Sequence, residues 1–245
     1  MLRKSIGTFQ ALPRRRDFTF LPGFFSLAEQ RVLLTTTLQK LDAMEGIQSR
    51  RRRRRCFELV DQYFHLVHRI PSKIFFSPTN TTNFRRYSIQ RSRPNRIGHF
   101  DGVIKNYREM HLTSWPTSDV PGLPSILDRL QALYPSQDVQ THLLHLASNG
   151  GINPHVDNLS ASGSWILGVS LGSERLLCLE SQDGNSDSFQ VLLPSGSVYI
   201  QRDSLRFDYK HSIPIRGAYE GREILGGQRL SIMIRDRLPS SVPKN

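Results

Sequence analysis

From Val139 onward the chain is a series of short strand-forming runs cut by clusters of Gly, Ser, Asn and Asp. The runs are Val139 to Ala147, Trp165 to Leu171, Arg175 to Leu179, Phe189 to Leu193, Ser197 to Arg202 and Arg229 to Ile234. Ser148-Asn149-Gly150-Gly151 and Asp183-Gly184-Asn185 are among the separators. Closely spaced strands with turn chemistry between them bury a core only as a sandwich or a barrel. The part ahead of them reads differently. Phe18 to Phe25 gives a strand and a turn, and Ser26-Leu27-Ala28-Glu29 is a capping box that opens a helix. Leu27, Leu34, Leu38 and Leu41 then fall on one helical face. A second helix is expected over 125–134, after Pro121 and Pro124, with Ile126, Leu127, Leu130 and Leu133 turned inward. The expected fold is α+β and mainly β: a double-stranded β-helix (jelly roll) flanked by amino-terminal helices.

Charge divides the chain further. The formal net charge is +12, which by itself points to nucleic acid. Residues 50–96 hold 13 basic and 2 acidic residues, a net +11, so the other 198 residues carry only +1. Six consecutive arginines, Arg50 to Arg55, repel one another and stay solvated, and 77–83 is loop chemistry. The expected organisation is therefore a basic tail over 1–17, which fits an acid-poor transit segment, and a strand and helix support over 18–48. A disordered basic insert follows over 49–98, then a jelly-roll domain over 99–239 and a tail over 240–245. Cys56 and Cys178 are too few for a disulfide framework or a four-cysteine zinc site. No apolar run reaches the roughly 18 residues of a membrane helix, so no membrane insertion is expected.

The β half contains one constellation with chemical meaning. His155-Val156-Asp157 follows the Ser-Asn-Gly-Gly cluster, His211 comes 56 residues later, and Arg229 and Arg235 flank an apolar strand. Two imidazoles and one carboxylate can occupy one face of an octahedral iron(II), leaving three cis positions for an α-keto acid and dioxygen. Residues two apart on a strand point the same way, so His155 and Asp157 converge on one ion and a distant strand supplies the third ligand. Arg229 offers a planar, two-pronged donor to a carboxylate at the far end of the co-substrate. His-x-Asp alone is weakly specific, and the chain has a second copy, His99-Phe100-Asp101. That copy follows no strand and turn, and is read as solvated or loop-ordering. His142 and His145, three apart, face opposite sides of a strand and are read as structural. Trp115 and Trp165 are read as packing residues, and Cys178 as a small buried hydrophobe.

With these residues the chain resembles the AlkB-type iron(II)- and 2-oxoglutarate-dependent dioxygenases, and most closely a mitochondrial branch of them, the seventh AlkB homologues. The likeness covers about residues 97–239, with the Pro-Gly-Phe turn and helix near 22–43. It is carried by His-Val-Asp (155–157), Gly-Ser-Val-Tyr-Ile (196–200), Phe-Asp-Tyr-Lys-His (207–211) and Arg-Leu-Ser-Ile-Met-Ile-Arg (229–235). The resemblance implies that His155, Asp157 and His211 bind iron(II), with 2-oxoglutarate and O2 as co-substrates. It further implies that Arg229 clasps the remote carboxylate with the Tyr199 hydroxyl beside it. Arg235 would sit nearer the metal, and Ser231 would belong to the same co-substrate site. It implies hydroxylation or oxidative demethylation of a protein or RNA substrate by a mitochondrial matrix monomer, linked to fatty-acid metabolism and programmed necrosis. A cytoplasmic or nuclear location is the alternative. Two departures stand out. Nucleic-acid repair members carry Asn-x-Tyr where this chain has Leu144-His145-Leu146, and no aromatic and basic lid is evident between Phe100 and Trp115, where Tyr107, Arg108 and Trp115 could contribute. The reading of a different class is a non-catalytic jelly roll that binds RNA or an acidic partner through its arginine-rich insert.

Overall fold

The longest strand runs through the cluster that reads as a turn. In the computed structural model, which describes residues 10–11, 16–44, 102–183 and 188–238, Val139–His155 is one strand of 17 residues. The basic segment 49–98, Cys56 and the His99-x-Asp101 motif lie outside the described residues. Gly150 and Gly151 are used here for what they lack. A Cβ on Gly150 would lie 2.6 Å from the Asn106 carbonyl oxygen, and one on Gly151 would lie 3.2 Å from that of Ile213. The two glycines let the strand squeeze between neighbours without interruption.

In chain order the described elements are β1 (Gln10–Ala11), β2 (Phe18–Leu21), α1 (Leu27–Met44), β3 (Ile104–Leu112), α2 (Leu123–Gln131), β4 (Val139–His155), β5 (Trp165–Gly172) and β6 (Arg175–Ser181). There follow β7 (Phe189–Leu193), β8 (Ser197–Arg202), α3 (Asp203–Phe207), β9 (Tyr209–Ile213), β10 (Gly217–Tyr219), β11 (Arg222–Ile224) and β12 (Arg229–Asp236). The main sheet has the order β1-β7-β6-β9-β4-β12-β5-β8-β2, with β3 also on β4. Its pairings are antiparallel apart from β1 with β7. β4 pairs with β12 through 139–146 and with β9 at Ile152 and His155, so it passes from one half of the curled sheet to the other. The expected mainly-β jelly roll with flanking helices is the observed fold.

Alternation decides what faces what. On β12, Leu230, Ile232 and Ile234 join Trp165, Leu167, Val169 and Leu171 of β5 beneath α1 and α2. Residues of opposite parity line the inside of the curl, where Leu144, Leu146, Leu177, Leu179, Phe189 and Tyr199 form a second core. The capping box is in place: the Ser26 amide donates to Glu29 Oε2 at 2.8 Å, and the Glu29 amide donates to Ser26 Oγ at 3.4 Å. Leu34, Leu38 and Leu41 are buried as expected, with Leu33 beside them, but Leu27 is 39% exposed. It lies in the first turn, where Phe25 just ahead of the helix and Gln30 within it bond instead to Gly196 and Ser195 in the turn before β8. α2 begins two residues earlier than its expected start, since Pro124 fits within a first helical turn. β3 has no sequence forecast. A register break between Lys105 and Tyr107, with Asn106 at φ 52°, shifts its phase and hides the alternation. Past the break, Met110 and Leu112 face the helices while Tyr107 faces the inner core.

His145 confirms its structural reading. Arg108 of β3 forms an ion pair with Asp42 of α1 at 2.5 Å and donates from Nε to His145 Nδ1 at 3.0 Å. Nδ1 is therefore an acceptor, and Nε2 donates to Gln228 Oε1 at 3.0 Å. Arg108 is thereby committed to the outer face and not to a lid. Burial, followed by the Arg108 charge, lowers the His145 pKa to about 4. A group whose proton affinity is lower folded than unfolded stabilises the fold fully above its unfolded value, near 6.5, and loses that contribution as the pH falls toward 4. Wild-type stability should therefore fall between pH 6.5 and 4, by up to about 1.4 kcal/mol per pH unit from this ring. Chemical denaturation at stepped pH should show a visibly shallower fall in His145→Gln.

Candidate metal and co-substrate site

The inside of the curl is polar at one end. His155 closes β4 and is the register partner of His211 on β9, and their ring centroids are 4.2 Å apart. Asp157, two residues on, is buried, with Oδ1 3.2 Å from His155 Nε2 and 3.7 Å from His211 Nε2. Among the described residues this is the one set of three metal-ligating side chains whose donor atoms all lie within 4.8 Å of one another. The second-sphere contacts favour a cation. His155 Nδ1 lies 2.9 Å from the Asn153 carbonyl oxygen, which can only accept, so the proton of the neutral ring belongs on Nδ1. Nε2 is then the ring atom free to ligate a metal, 3.2 Å from a carboxylate oxygen that would share the same ion. Burial lowers the His211 pKa to about 3, which keeps that imidazole neutral as a ligand must be. Burial raises the Asp157 pKa, but the Arg235 charge beside it holds the carboxyl well below the usual range.

Arg235 Nη2 is 2.8 Å from Asp157 Oδ2, an ion pair at the metal end of β12. At the other end, Arg229 is 1% exposed. Its Nε donates to Ser170 Oγ at 2.9 Å, the Tyr199 hydroxyl is its second partner, and among the described residues its Nη2 has no hydrogen-bond partner. The buried Ser231 hydroxyl also lacks one. A buried guanidinium with an open donor and no carboxylate partner fits a carboxylate ligand. The donor set and these orphaned atoms thus suit an iron(II) ion and a co-substrate with two acidic ends. Tyr199 reaches Arg229 by crossing β5 at Gly168, its register partner, where any Cβ would overlap the phenol ring.

All seven residues expected from the sequence thus share one interior face. Two further groups were not foreseen. Gly168 is the opening for Tyr199. Arg206, on α3 and 1% exposed, donates to the carbonyl oxygens of Asp157 at 3.2 Å and Asn158 at 3.5 Å and to Ser162 Oγ at 2.9 Å. It pins the turn that carries Asp157. Its spacing, five residues before His211, is a weak signal without a structure.

The chain matches the family described as 2OG-Fe(II) oxygenase superfamily over residues 17–235. It belongs to that superfamily. Members use iron(II), 2-oxoglutarate and dioxygen, the set expected from the sequence. The chain is 33% identical over 151 residues to the mitochondrial alpha-ketoglutarate-dependent dioxygenase alkB homolog 7 of Bos taurus, covering 59% of this chain and 66% of that protein. The same protein from Mus musculus is 31% identical over 149 residues, with the same coverage. The matched part is thus just under two thirds of these relatives' length. The solved structure of OsALKBH1 has a TM-score of 0.50 and 17% identity, over 92% of this chain and all of that one, and shows the shared fold.

The two supporting residues separate the two ends of the site. Arg206→Lys should weaken Co2+ binding about 10- to 100-fold, as read by the ion's absorption bands, and leave 2-oxoglutarate contacts untouched. Gly168→Ala should raise the 2-oxoglutarate dissociation constant about tenfold by displacing Tyr199, with Co2+ affinity unchanged.

Proposed function

We propose that this chain is an iron(II)- and 2-oxoglutarate-dependent dioxygenase that hydroxylates or oxidatively demethylates a protein or RNA substrate in mitochondria. The observation that carries this reading is the in-register His155–His211 pair converging with Asp157, backed by a buried, open-handed Arg229. His155, Asp157 and His211 would hold the metal, and Arg229, Tyr199 and Ser231 the remote carboxylate. When bound, the metal and 2-oxoglutarate couple reduction of O2 to formation of succinate and CO2 and to conversion of a substrate C–H into C–OH; an N-methyl group so hydroxylated breaks down to the free amine and formaldehyde.

The chain's own residues do the remaining work. Asp157 stays ionised because Arg235 pairs with one oxygen, which leaves the other for the metal side. The Asn153 carbonyl oxygen fixes the His155 tautomer. Arg229 and Tyr199 would orient the co-substrate from behind, beside Leu144 and Leu146, the buried register partners of Ser231 and Arg229. These leucines stand where repair-type relatives carry Asn and Tyr. Tyr199, bonded to Arg229, is the aromatic hydroxyl best placed for the co-substrate carboxylate. The near-neutral composition outside residues 50–96 favours a protein target over duplex nucleic acid. The mitochondrial setting rests on the names of the relatives and on the basic, acid-poor first 16 residues.

Purified protein with iron(II) should release succinate from 2-oxoglutarate in air and none under anaerobic conditions. His155→Ala or Asp157→Ala should lower that release at least about 100-fold. Turnover that survives both substitutions overturns the assignment. Mitochondrial protein and RNA extracts, scored for +16 mass shifts and formaldehyde, then separate the two substrate classes.

A further inference from the structure

A second pair of imidazoles faces across the sheet outside the triad. His111 on β3 and His142 on β4 are register partners, as His155 and His211 are. His111 Nδ1 lies 3.0 Å from His142 Nε2, and the ring centroids are 4.6 Å apart at 85°. Both rings share the parity of Tyr107 and Leu144 and so point to the inside of the curl. They lie toward its open edge, with His111 exposed and His142 half-buried. Glu109 is two residues from His111 on the same strand and face. The arrangement repeats the logic of the triad, with a cross-strand histidine pair and a carboxylate two residues along.

We propose that His111 and His142 form a second divalent-metal site, for a borderline cation such as Zn2+, Cu2+ or Ni2+, on the inner face beside Arg235. Imidazole suits these ions better than it suits Mg2+ or Ca2+. A tetrahedral ion about 2.0–2.1 Å from each nitrogen sets the two nitrogens roughly 3.3–3.4 Å apart, so the pair opens by only a few tenths of an ångström. The sheet already fixes both backbones, and the ion replaces one N–H···N bond worth about 0.5–1.5 kcal/mol. Burial, then Arg235 and His111, lowers the His142 pKa to about 4, so protons do not compete at neutral pH. The charges facing the pair come from two sides. Arg235 repels a cation but is engaged by Asp157, and Glu109 attracts one. The Glu109 carboxylate does not lie within 4.8 Å of both rings, so water completes the coordination unless its side chain turns. An ion here would stand one strand from Arg235 and crowd the approach to the triad.

The test is a Zn2+ titration at pH 7 against a chromophoric chelator, on the full chain and its variants. Cys56, His65, His68 and His99 also offer ligands, so the reading is the difference between variants. His111→Asn and His142→Asn should each lose one equivalent relative to wild type. His155→Ala should lose a different one, and His142→Asn combined with His155→Ala should lose both. In the His155→Ala background, Cu2+ should give an electron paramagnetic resonance signal with two-nitrogen coupling that His111→Asn abolishes; the exposure of His111 keeps that variant folded. Equal Zn2+ stoichiometry in wild type, His111→Asn and His142→Asn overturns the proposal, as does a Cu2+ signal indifferent to His111.

Discussion

The ion pair between Arg235 and Asp157 sets the terms for the rest of the structure. Taking a carboxylate and a guanidinium out of water costs several kcal/mol per ion, and the cost is offset only by close, well-supported pairing. Asp157 has that support from Arg235 at one oxygen and from Arg206 holding the turn beneath it. With charge inside the curl, the apolar parity of β12, β5 and β8 has to face outward. α1 and α2 are what cover it, and the larger apolar core lies between helices and sheet.

The two ends of β12 are electrostatically unlike. Arg235 is neutralised by Asp157, whereas among the described residues Arg229 has only neutral partners in Ser170 and Tyr199. In the proposed reading, a molecule with an acidic group at each end would therefore be held in one direction, with one end on the metal side and the other on the uncompensated guanidinium. Arginine serves here where lysine would not. Its fork can bind Ser170 and Tyr199 and still keep a donor free.

Much of this was legible in the residues. The strict alternation of Arg229-Leu230-Ser231-Ile232-Met233-Ile234-Arg235 states which side chains go in and which go out, and it needs only that the segment be a strand. His155 and Asp157 are readable for the same reason. What was not legible comes from glycine's double use and from broken phase. Gly150 and Gly151 resemble a turn in sequence, but they sit mid-strand because neighbouring carbonyls leave no room for a Cβ. The bulge at Asn106 moved Arg108 to the outer face and His111 to the inner one, so neither the Arg108–His145 bond nor the His111–His142 pair could be read from spacing. Arg206 was invisible because nothing local distinguishes a buried arginine from a solvated one.

The crossing of β4 ties these pieces together. Leu146 pairs with Arg229, and nine residues later, past a register shift between Ile152 and His155, His155 pairs with His211, so one strand would set the distance between the proposed co-substrate and metal ends. Nine residues of strict alternation would place Leu146 and His155 on opposite faces, and the register shift before His155 brings both inside. Slippage is opposed where the strand is narrowest. The backbone of β3 closes on Gly150, Ile213 closes on Gly151, and the buried Arg175 donates to the carbonyl oxygens of both Gly150 and Gly227. Gly227 lies two residues before Arg229. Arg175 thus pins the crossing of β4 and the start of β12 together, and it holds in register the two strands whose inner faces bear the chemistry.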